Sequence, residues 1–94
     1  MRYAILLLTE AQEDLDRLRA FERAMALDAI ETHLRHLPRL ESRSRIKRLR
    51  GRDGEYRLRI GAALRAFYRV EGNEVLVLRV MAKDETAEYY GGES

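Results

Sequence analysis

The sequence predicts an α+β fold in which a small antiparallel β-sheet carries an N-terminal helical hairpin packed on one face. Three observations support it: an apolar strand opens the chain, two amphipathic helical stretches follow, and strand-like segments occupy the second half. The length of 94 residues fits one domain, which we place at residues 1–90, and residues 91–94 are expected to fray. The expected order of elements is β-α-α-β-β-β-α.

The N-terminal strand is expected over residues 2–8, where the apolar run has few gaps. Continuous rather than alternating apolarity is typical of a strand that is covered on both faces. The next residues, Thr9 to Gln12, match a capping box, in which the Thr9 hydroxyl would accept an amide hydrogen bond at the start of a helix. Apolar residues then recur at helical spacing, at Ala11, Leu15, Leu18 and Phe21.

A second helix is expected over residues 22–37, and Pro38 would stop it. We expect the two helices to separate near residues 21–23, although one bent helix would also fit the pattern. Two consecutive helices would form an antiparallel pair with their apolar stripes on the sheet. The stripe of the second helix comprises Leu27, Ile30, Leu34 and Leu37.

The second half of the chain predicts a weak strand over residues 46–49 and three regular strands. Residues 55–60 and 64–70 alternate apolar and polar side chains on either side of a short corner, residues 61–63. Residues 74–81 are apolar on both faces until Arg79, which predicts a central strand. Beyond this strand, Asp84 is expected to cap a short final helix.

The alternation in these strands predicts two unlike sheet faces. If Leu58, Tyr68 and Leu78 face the helices, the opposite face presents cations on an apolar floor. Its members would be Arg57, Arg59, Arg65, Arg69, Arg79, Lys83, Phe67, Val75, Val77 and Met81. Because a bare apolar floor is a liability, we expect the final helix or a partner protein to cover part of it.

Cationic residues are concentrated in the middle of the chain. Residues 35–69 contain twelve Lys and Arg residues against three acids, whereas residues 3–34 contain three against seven. The formal net charge of +2 hides this asymmetry. A basic region of this kind attracts phosphates, and it also fits an ordinary solvated surface or a dock for an acidic protein.

Composition excludes several other classes of protein. The chain has no cysteine, which suits a cytoplasmic location, and its N-terminal apolar run is too short for a signal peptide or a membrane span. His33 and His36 have a spacing that metal ligands use, but no third ligand is near them in the sequence. We therefore expect no metal, no cofactor and no membrane partner.

The order of these segments resembles the RelE/ParE superfamily of bacterial toxins. The resemblance spans residues 3–89 and rests on the stretches IKRLRG, YRLRIG, LRAFYRV and VLVLRV, followed by a charged segment that ends in tyrosine. It implies the fold given above and a cognate antitoxin that silences the toxin in a hetero-oligomer. RelE-like members cleave mRNA on the ribosome, whereas ParE-like members inhibit DNA gyrase and are not nucleases.

The resemblance also implies a metal-free nuclease site. Its catalytic positions fall on Arg65, Lys83 and Tyr89, and Tyr90 is an alternative to Tyr89. Lysine stands at Lys83 where arginine is usual, and Ala82 stands where many relatives have histidine.

Four further arginines are candidates for binding RNA and stabilising the phosphate. These are Arg57, Arg59, Arg69 and Arg79. RNA is cut without metal when its 2′-OH attacks the adjacent phosphate, and guanidinium groups would stabilise the pentacoordinate phosphorane. Tyr89, whose phenolate is favoured by nearby cations, would act as base with help from Lys83, and Arg65 would be a weak acid.

We therefore expect the toxin of a type II toxin–antitoxin system, acting as a ribosome-dependent mRNA endonuclease. Two alternatives remain open at this stage. One is a ParE-like DNA gyrase inhibitor without nuclease activity, and the other is a non-catalytic interaction module with the same fold.

Overall fold

The computed structural model describes residues 2–86, and the elements that follow are those of this range. In chain order they are β1 (Ala4–Leu7), α1 (Thr9–Arg17), α2 (Ala20–Leu34), β2 (Ile46–Arg48), β3 (Glu55–Ile60), β4 (Leu64–Glu71) and β5 (Glu74–Ala82). A 3₁₀ turn, Lys83–Glu85, follows β5 where a helix capped by Asp84 was expected, and Ala82 precedes the turn as its N-cap. The predicted tail at 91–94 lies outside the described residues. The predicted α+β class is confirmed.

The five strands form one sheet in the order β1-β5-β4-β3-β2. From β2 to β5 the neighbours pair antiparallel, as predicted, but β1 lies parallel beside β5, so the sheet is mixed. Side chains alternate in the same way in parallel and antiparallel strands, so the direction of a strand joined by a long connection is not visible in the sequence. The prediction that β5 is an inner strand is confirmed, since it lies between β1 and β4.

Strand β1 lies at the sheet edge, and the prediction that both its faces are covered is wrong. Ile5 and Leu7 pack against the core, whereas the side chain of Leu6 is 42% exposed. The outer edge of the strand is covered at Tyr3, whose N–H donates to the carbonyl of Arg35 at 2.7 Å. The Nη1 of Arg35 in turn donates to the Tyr3 carbonyl at 3.0 Å.

The start of α1 differs from the predicted capping box. Thr9 is the first helical residue, and Leu8 precedes it as an N-cap without a side-chain hydrogen bond. The side chain of Gln12 reaches back, but it donates to the carbonyl of Leu7 at 3.3 Å. Because Thr9 is already the first helical residue, it does not occupy the N-cap position.

The two helices separate at residues 18–19, earlier than expected. The reason lies in Arg23, whose Nε donates to the carbonyl of Leu15 at 2.9 Å and whose Nη2 donates to that of Leu18 at 3.0 Å. These bonds supply donors to carbonyl groups at the end of α1, where the Leu15 carbonyl also accepts the N–H of Leu18 at 3.1 Å. Helix α2 then ends at Leu34, three residues before the predicted end.

Both helices pack on one face of the sheet, and together they enclose the main core. The core side of the helices comprises Ala11, Leu15, Ala26, Ile30 and Leu34. Phe21, Leu27 and Leu37 were predicted to belong to it and are 63%, 40% and 61% exposed. The buried side of α2 is therefore the one that carries Ala26, Ile30 and Leu34, and Leu27 lies outside it.

A β-bulge in β5 changes which residues of that strand face the core. Tyr68 lies opposite Val77 while Phe67 lies opposite Arg79, so Leu78 is the extra residue. Because side chains alternate, the core receives Val77 before the bulge and Val80 after it. The prediction that Leu78 faces the helices is therefore wrong, as is the placement of Val75 and Val77 on the opposite face.

Tyr68 connects the sheet to the chain that follows α2. Its buried hydroxyl donates to the carbonyl of Pro38 at 2.6 Å, and its ring stacks on that of Tyr56 at a centroid distance of 5.5 Å. Burial raises the pKa of Tyr68, so the phenol stays protonated and remains a donor.

We predict that Tyr68→Phe lowers the free energy of unfolding by about 1–2 kcal/mol, because the buried Pro38 carbonyl loses its donor. Tyr56→Phe is the matched control, since no described residue bonds to the Tyr56 hydroxyl, and it should change stability by no more than about 0.5 kcal/mol. Urea unfolding followed by circular dichroism measures both. Equal losses in the two variants would contradict the role given to the hydroxyl.

Candidate functional site

The sheet face opposite the helices brings together three of the predicted arginines. Arg59 of β3 lies directly opposite Arg65 of β4, and Arg57 lies opposite Phe67. Residues that oppose each other in a ladder share a face, so these side chains belong to one surface. We call Arg57, Arg59 and Arg65 the arginine cluster.

Arg65 is the buried member of the arginine cluster. Only 5% of it is exposed, and its Nη1 donates to the carbonyl of Leu64 at 2.8 Å. No acidic side chain within residues 2–86 pairs with it. Burial lowers the pKa of Arg65, and the charges of Arg59 and Arg57 lower it further. A buried cation beside two others is unfavourable by itself, and an oxyanion would compensate it.

An apolar floor lies beneath these cations, as the sequence predicts. Leu49, Phe67 and Met81 form a second buried cluster, separate from the main core. Leu49 thus takes the place that Val75 and Val77 were expected to fill. The predicted cover by the C-terminal helix falls on residues outside the described range.

Lys83 lies at the same end of the sheet as Arg65. Its backbone N–H donates to the carbonyl of Ala63 at 2.7 Å, one step beyond the pairing of Leu64 with Ala82. The corner before Ala63 turns at Gly61, which has a φ of 59° that disfavours other residue types. The side chain of Lys83 is exposed.

The remaining two arginines are held by acids. Arg69 lies 3.4 Å from Glu71, between its Nε and the Oε2 of the glutamate. Arg79 makes a two-pronged ion pair with Asp14: Nε to Oδ2 is 2.7 Å and Nη2 to Oδ1 is 3.0 Å. A phosphate-binding role for Arg69 and Arg79 stays a prediction.

Asp14 is a structural residue that the sequence interpretation missed. It is 6% exposed, and its Oδ2 also accepts the backbone N–H of Val80 at 2.9 Å. The pairing with β1 ends opposite Val77, so Asp14 satisfies a backbone donor that has no neighbouring strand. Its burial could have been inferred from the helical spacing in α1, because Asp14 lies three residues after Ala11 and four before Leu18 on the buried stripe.

Lys47 is a second residue that was not singled out. It lies opposite Arg57 in the pairing of β2 with β3, so it extends the cationic face to the sheet edge. The alternation of Ile46, Lys47 and Arg48 was the signal, because the buried Ile46 assigns Lys47 to the other face.

Three further predictions concern the tail, metals and membranes. Tyr89 and Tyr90 lie outside the described residues. Within the described range, no group of three or more His, Cys, Asp or Glu side chains could hold a metal ion. None of the helices in that range has the length and apolar character needed to cross a membrane.

One family model matches most of this chain, and several solved structures have a similar fold. Residues 5–86 match the family model of the ParE toxin of the type II toxin–antitoxin system parDE. No curated protein sequence matches significantly.

Three solved structures are similar over most of the chain. The toxin–antitoxin complex RelBE2 of Mycobacterium tuberculosis has 27% identity and a TM-score of 0.69, covering 88% of this chain and 100% of that one. A double arginine-to-alanine mutant of Escherichia coli RelE in the free state has 23% identity and a TM-score of 0.78, covering 97% and 93%. The RelB–RelE complex of Methanococcus jannaschii has 22% identity and a TM-score of 0.70, covering 90% and 98%.

We predict that Asp14→Ala lowers the free energy of unfolding by about 2–3 kcal/mol. The change leaves Val80 N–H unsatisfied and Arg79 without its acid, and the partial exposure of Arg79 moderates the loss. Asp14→Asn should lose less, because its amide oxygen still accepts from Val80. Chemical unfolding measures these losses, and the exposed Asp16→Ala is the control. A loss no larger than that of Asp16→Ala would contradict this role.

Proposed function

The chain belongs to the ParE toxin family of type II toxin–antitoxin systems, within the RelE/ParE superfamily, and we propose that it cleaves mRNA on the ribosome. The observation that carries the proposal is the buried Arg65, which feels the charges of Arg59 and Arg57 and pairs with no acid among residues 2–86. A purely structural arginine at this depth would have an acidic partner. A phosphodiester would supply the negative charge that no residue of the described range provides.

The arginine cluster suits the transition state of RNA cleavage better than its ground state. When the 2′-OH attacks, a second negative charge builds up on the phosphorane oxygens. Fixed guanidinium donors then gain more interaction energy than they had with the phosphodiester, and each is worth about 3 kcal/mol. Arg57 and Arg59 are held on a paired strand, so little reorganisation opposes this gain.

The proton transfers of the cleavage reaction need residues other than Arg57 and Arg59. Arg65 has a lowered pKa, so its protonated form is a stronger acid towards the leaving 5′-oxygen than an exposed arginine. Lys83, exposed at the same end of the sheet, would stabilise the phenolate of Tyr89, the proposed base. In this scheme no step needs a metal ion or another cofactor.

The candidate site also bears on which partners the protein would need. The described part of the site lies on one face of the sheet, and we propose that it does not orient a single-stranded RNA alone. We propose that the ribosome holds the mRNA in place, and that a cognate antitoxin blocks the same face in a hetero-oligomer. The structures of the M. tuberculosis and M. jannaschii relatives are such toxin–antitoxin complexes. A cytoplasmic location belongs to this proposal.

Inhibition of DNA gyrase is the second candidate function. It is supported by the matching family model, which is that of the ParE toxin. A gyrase inhibitor needs a binding surface but no site for the charge that develops on a phosphate, so it does not by itself account for a buried Arg65 without an acidic partner in residues 2–86. We therefore rank it below RNA cleavage.

We predict that Arg65→Ala reduces mRNA cleavage at least about 100-fold in a purified translation system, because one phosphorane donor is lost. Arg65→Lys keeps the charge without the fork and should recover only part of the activity. Primer extension on the translated mRNA measures cleavage, and the exposed Arg2→Ala, beside β1, is the control. Intact mRNA with the unaltered protein, together with inhibited supercoiling, would favour the gyrase function.

The two tyrosines near the C-terminus can be separated in the same assay. We predict that Tyr89→Phe lowers the cleavage rate at least about 100-fold, because a general base contributes a factor of this order. Tyr90→Phe should retain nearly full activity. A selective loss in Tyr90→Phe would move the base to that residue, and full activity in both variants would exclude a tyrosine base.

A further inference from the structure

A second cationic surface lies at the edge of the sheet, outside the proposed catalytic site. Residues 43–52 contain six cations and no acid. All six side chains are exposed, and we call this segment the basic edge: Arg43, Arg45, Lys47, Arg48, Arg50 and Arg52. Strand β2 forms its centre and pairs with β3 on one side only.

Four of these cations lack a local counter-charge. Among the residues that the structure describes, no acid pairs with the guanidinium groups of Arg43, Arg45, Arg48 or Arg50. Arg52 differs, because its Nη1 lies 3.8 Å from Glu55 Oε1. Four like charges held close together repel one another, and binding of a polyanion would relieve this repulsion.

The backbone of the basic edge is fixed, so the charges form a pre-organised array. Ile46 and Leu49 anchor the segment in apolar clusters, with 5% and 3% exposure. The Oγ of Ser42 accepts the backbone N–H groups of Arg45 and Ile46 at 3.1 and 3.2 Å. The N–H of Leu49 donates to the carbonyl of Glu55 at 3.0 Å. A fixed array loses less conformational entropy on binding than a flexible basic tail would lose.

The basic edge is continuous with the arginine cluster. The backbone N–H of Arg59 donates to the carbonyl of Arg45 at 2.8 Å, and Lys47 lies opposite Arg57. A polyanion that occupies the cluster can therefore pass over Arg45 and Lys47 to the edge of the sheet, around which Arg48 lies on the helix side, opposite Tyr56.

The composition of the basic edge favours a nucleic acid over an acidic protein. Protein–protein interfaces centre on buried apolar or aromatic side chains, whereas nucleic-acid interfaces are more polar and far more positively charged. Both apolar residues of residues 43–52, Ile46 and Leu49, point into the protein. Five of the six cations are arginines, whose forked donors match phosphate oxygens.

We propose that the basic edge binds the phosphodiester backbone of RNA, independently of sequence, as an extension of the catalytic face. The choice of RNA over another polyanion rests on the proposed function. Each arginine that contacts a phosphate of a single strand contributes about 0.7 to the slope of log Kd against log salt concentration.

The test measures binding of a fluorescent 2′-O-methyl RNA 20-mer by anisotropy between 0.05 and 0.3 M salt. This probe lacks the attacking 2′-OH, so binding is measured even if the protein cleaves nothing, and failure of the cleavage proposal stays distinguishable. The variants are Arg48→Gln/Arg50→Gln and Arg43→Gln/Arg45→Gln. The control Arg2→Gln/Arg39→Gln removes the same charge near β1, at the opposite edge of the sheet. Thermal unfolding verifies that each variant is folded.

We expect each edge variant to lower the salt slope by about 1.4 and to weaken binding about tenfold at 0.15 M salt, with the control near the unaltered protein. Equal changes in the edge and control variants would overturn the proposal, since only net charge would then matter. A poly-glutamate peptide of equal length is the second probe. If the peptide binds as tightly as the RNA and loses as much affinity in the edge variants, an acidic protein is the partner and the proposal fails.

Discussion

The pairing register between β3 and β4 is the constraint on which the rest of the molecule depends. It sets Leu58 opposite Ala66 and Tyr56 opposite Tyr68, so these side chains fill the core beneath the helices. The same register necessarily sets Arg59 opposite Arg65 on the other face. A slip of one residue would put arginines into the core, so the burial of the apolar set and the display of the cations are specified together.

The cations of this chain divide by their partners, and that division separates structural from functional roles. Arg79 is bound by the buried Asp14, and Arg35 is bound by Glu31, so their charges are largely neutralised locally. Arg65 has no acid among the described residues, although it is more buried than Arg79. A protein selected for stability alone would pair its most buried cation first. The reverse order at Arg65, within residues 2–86, is what the proposed binding of an external anion requires.

The local sequence pattern predicted many of the strands and helices, because strand alternation and helical periodicity reflect which side chains are buried. The strands around residues 61–63 and the cations of Arg57, Arg59 and Arg65 on one face were visible in the sequence. The parallel direction of β1 was not, because the alternation of side chains carries no direction. Asp14 was overlooked because its partner, Val80 N–H, is a backbone group 66 residues away that no side-chain pattern marks.

The bulge at Leu78 links the core to the candidate site. Before the bulge the odd-numbered Val75 and Val77 face the core, and after it the even-numbered Val80 does. With an unbroken alternation, the core contacts of Val77 would place Met81 and the position of Lys83 on the helix side. The extra residue reverses this, so Met81 joins Phe67 beneath the cations and Lys83 continues the same face beside Ala63. A one-residue irregularity thus keeps Val75, Val77 and Val80 on the core side along β5 while its end contributes Met81 to the cationic face.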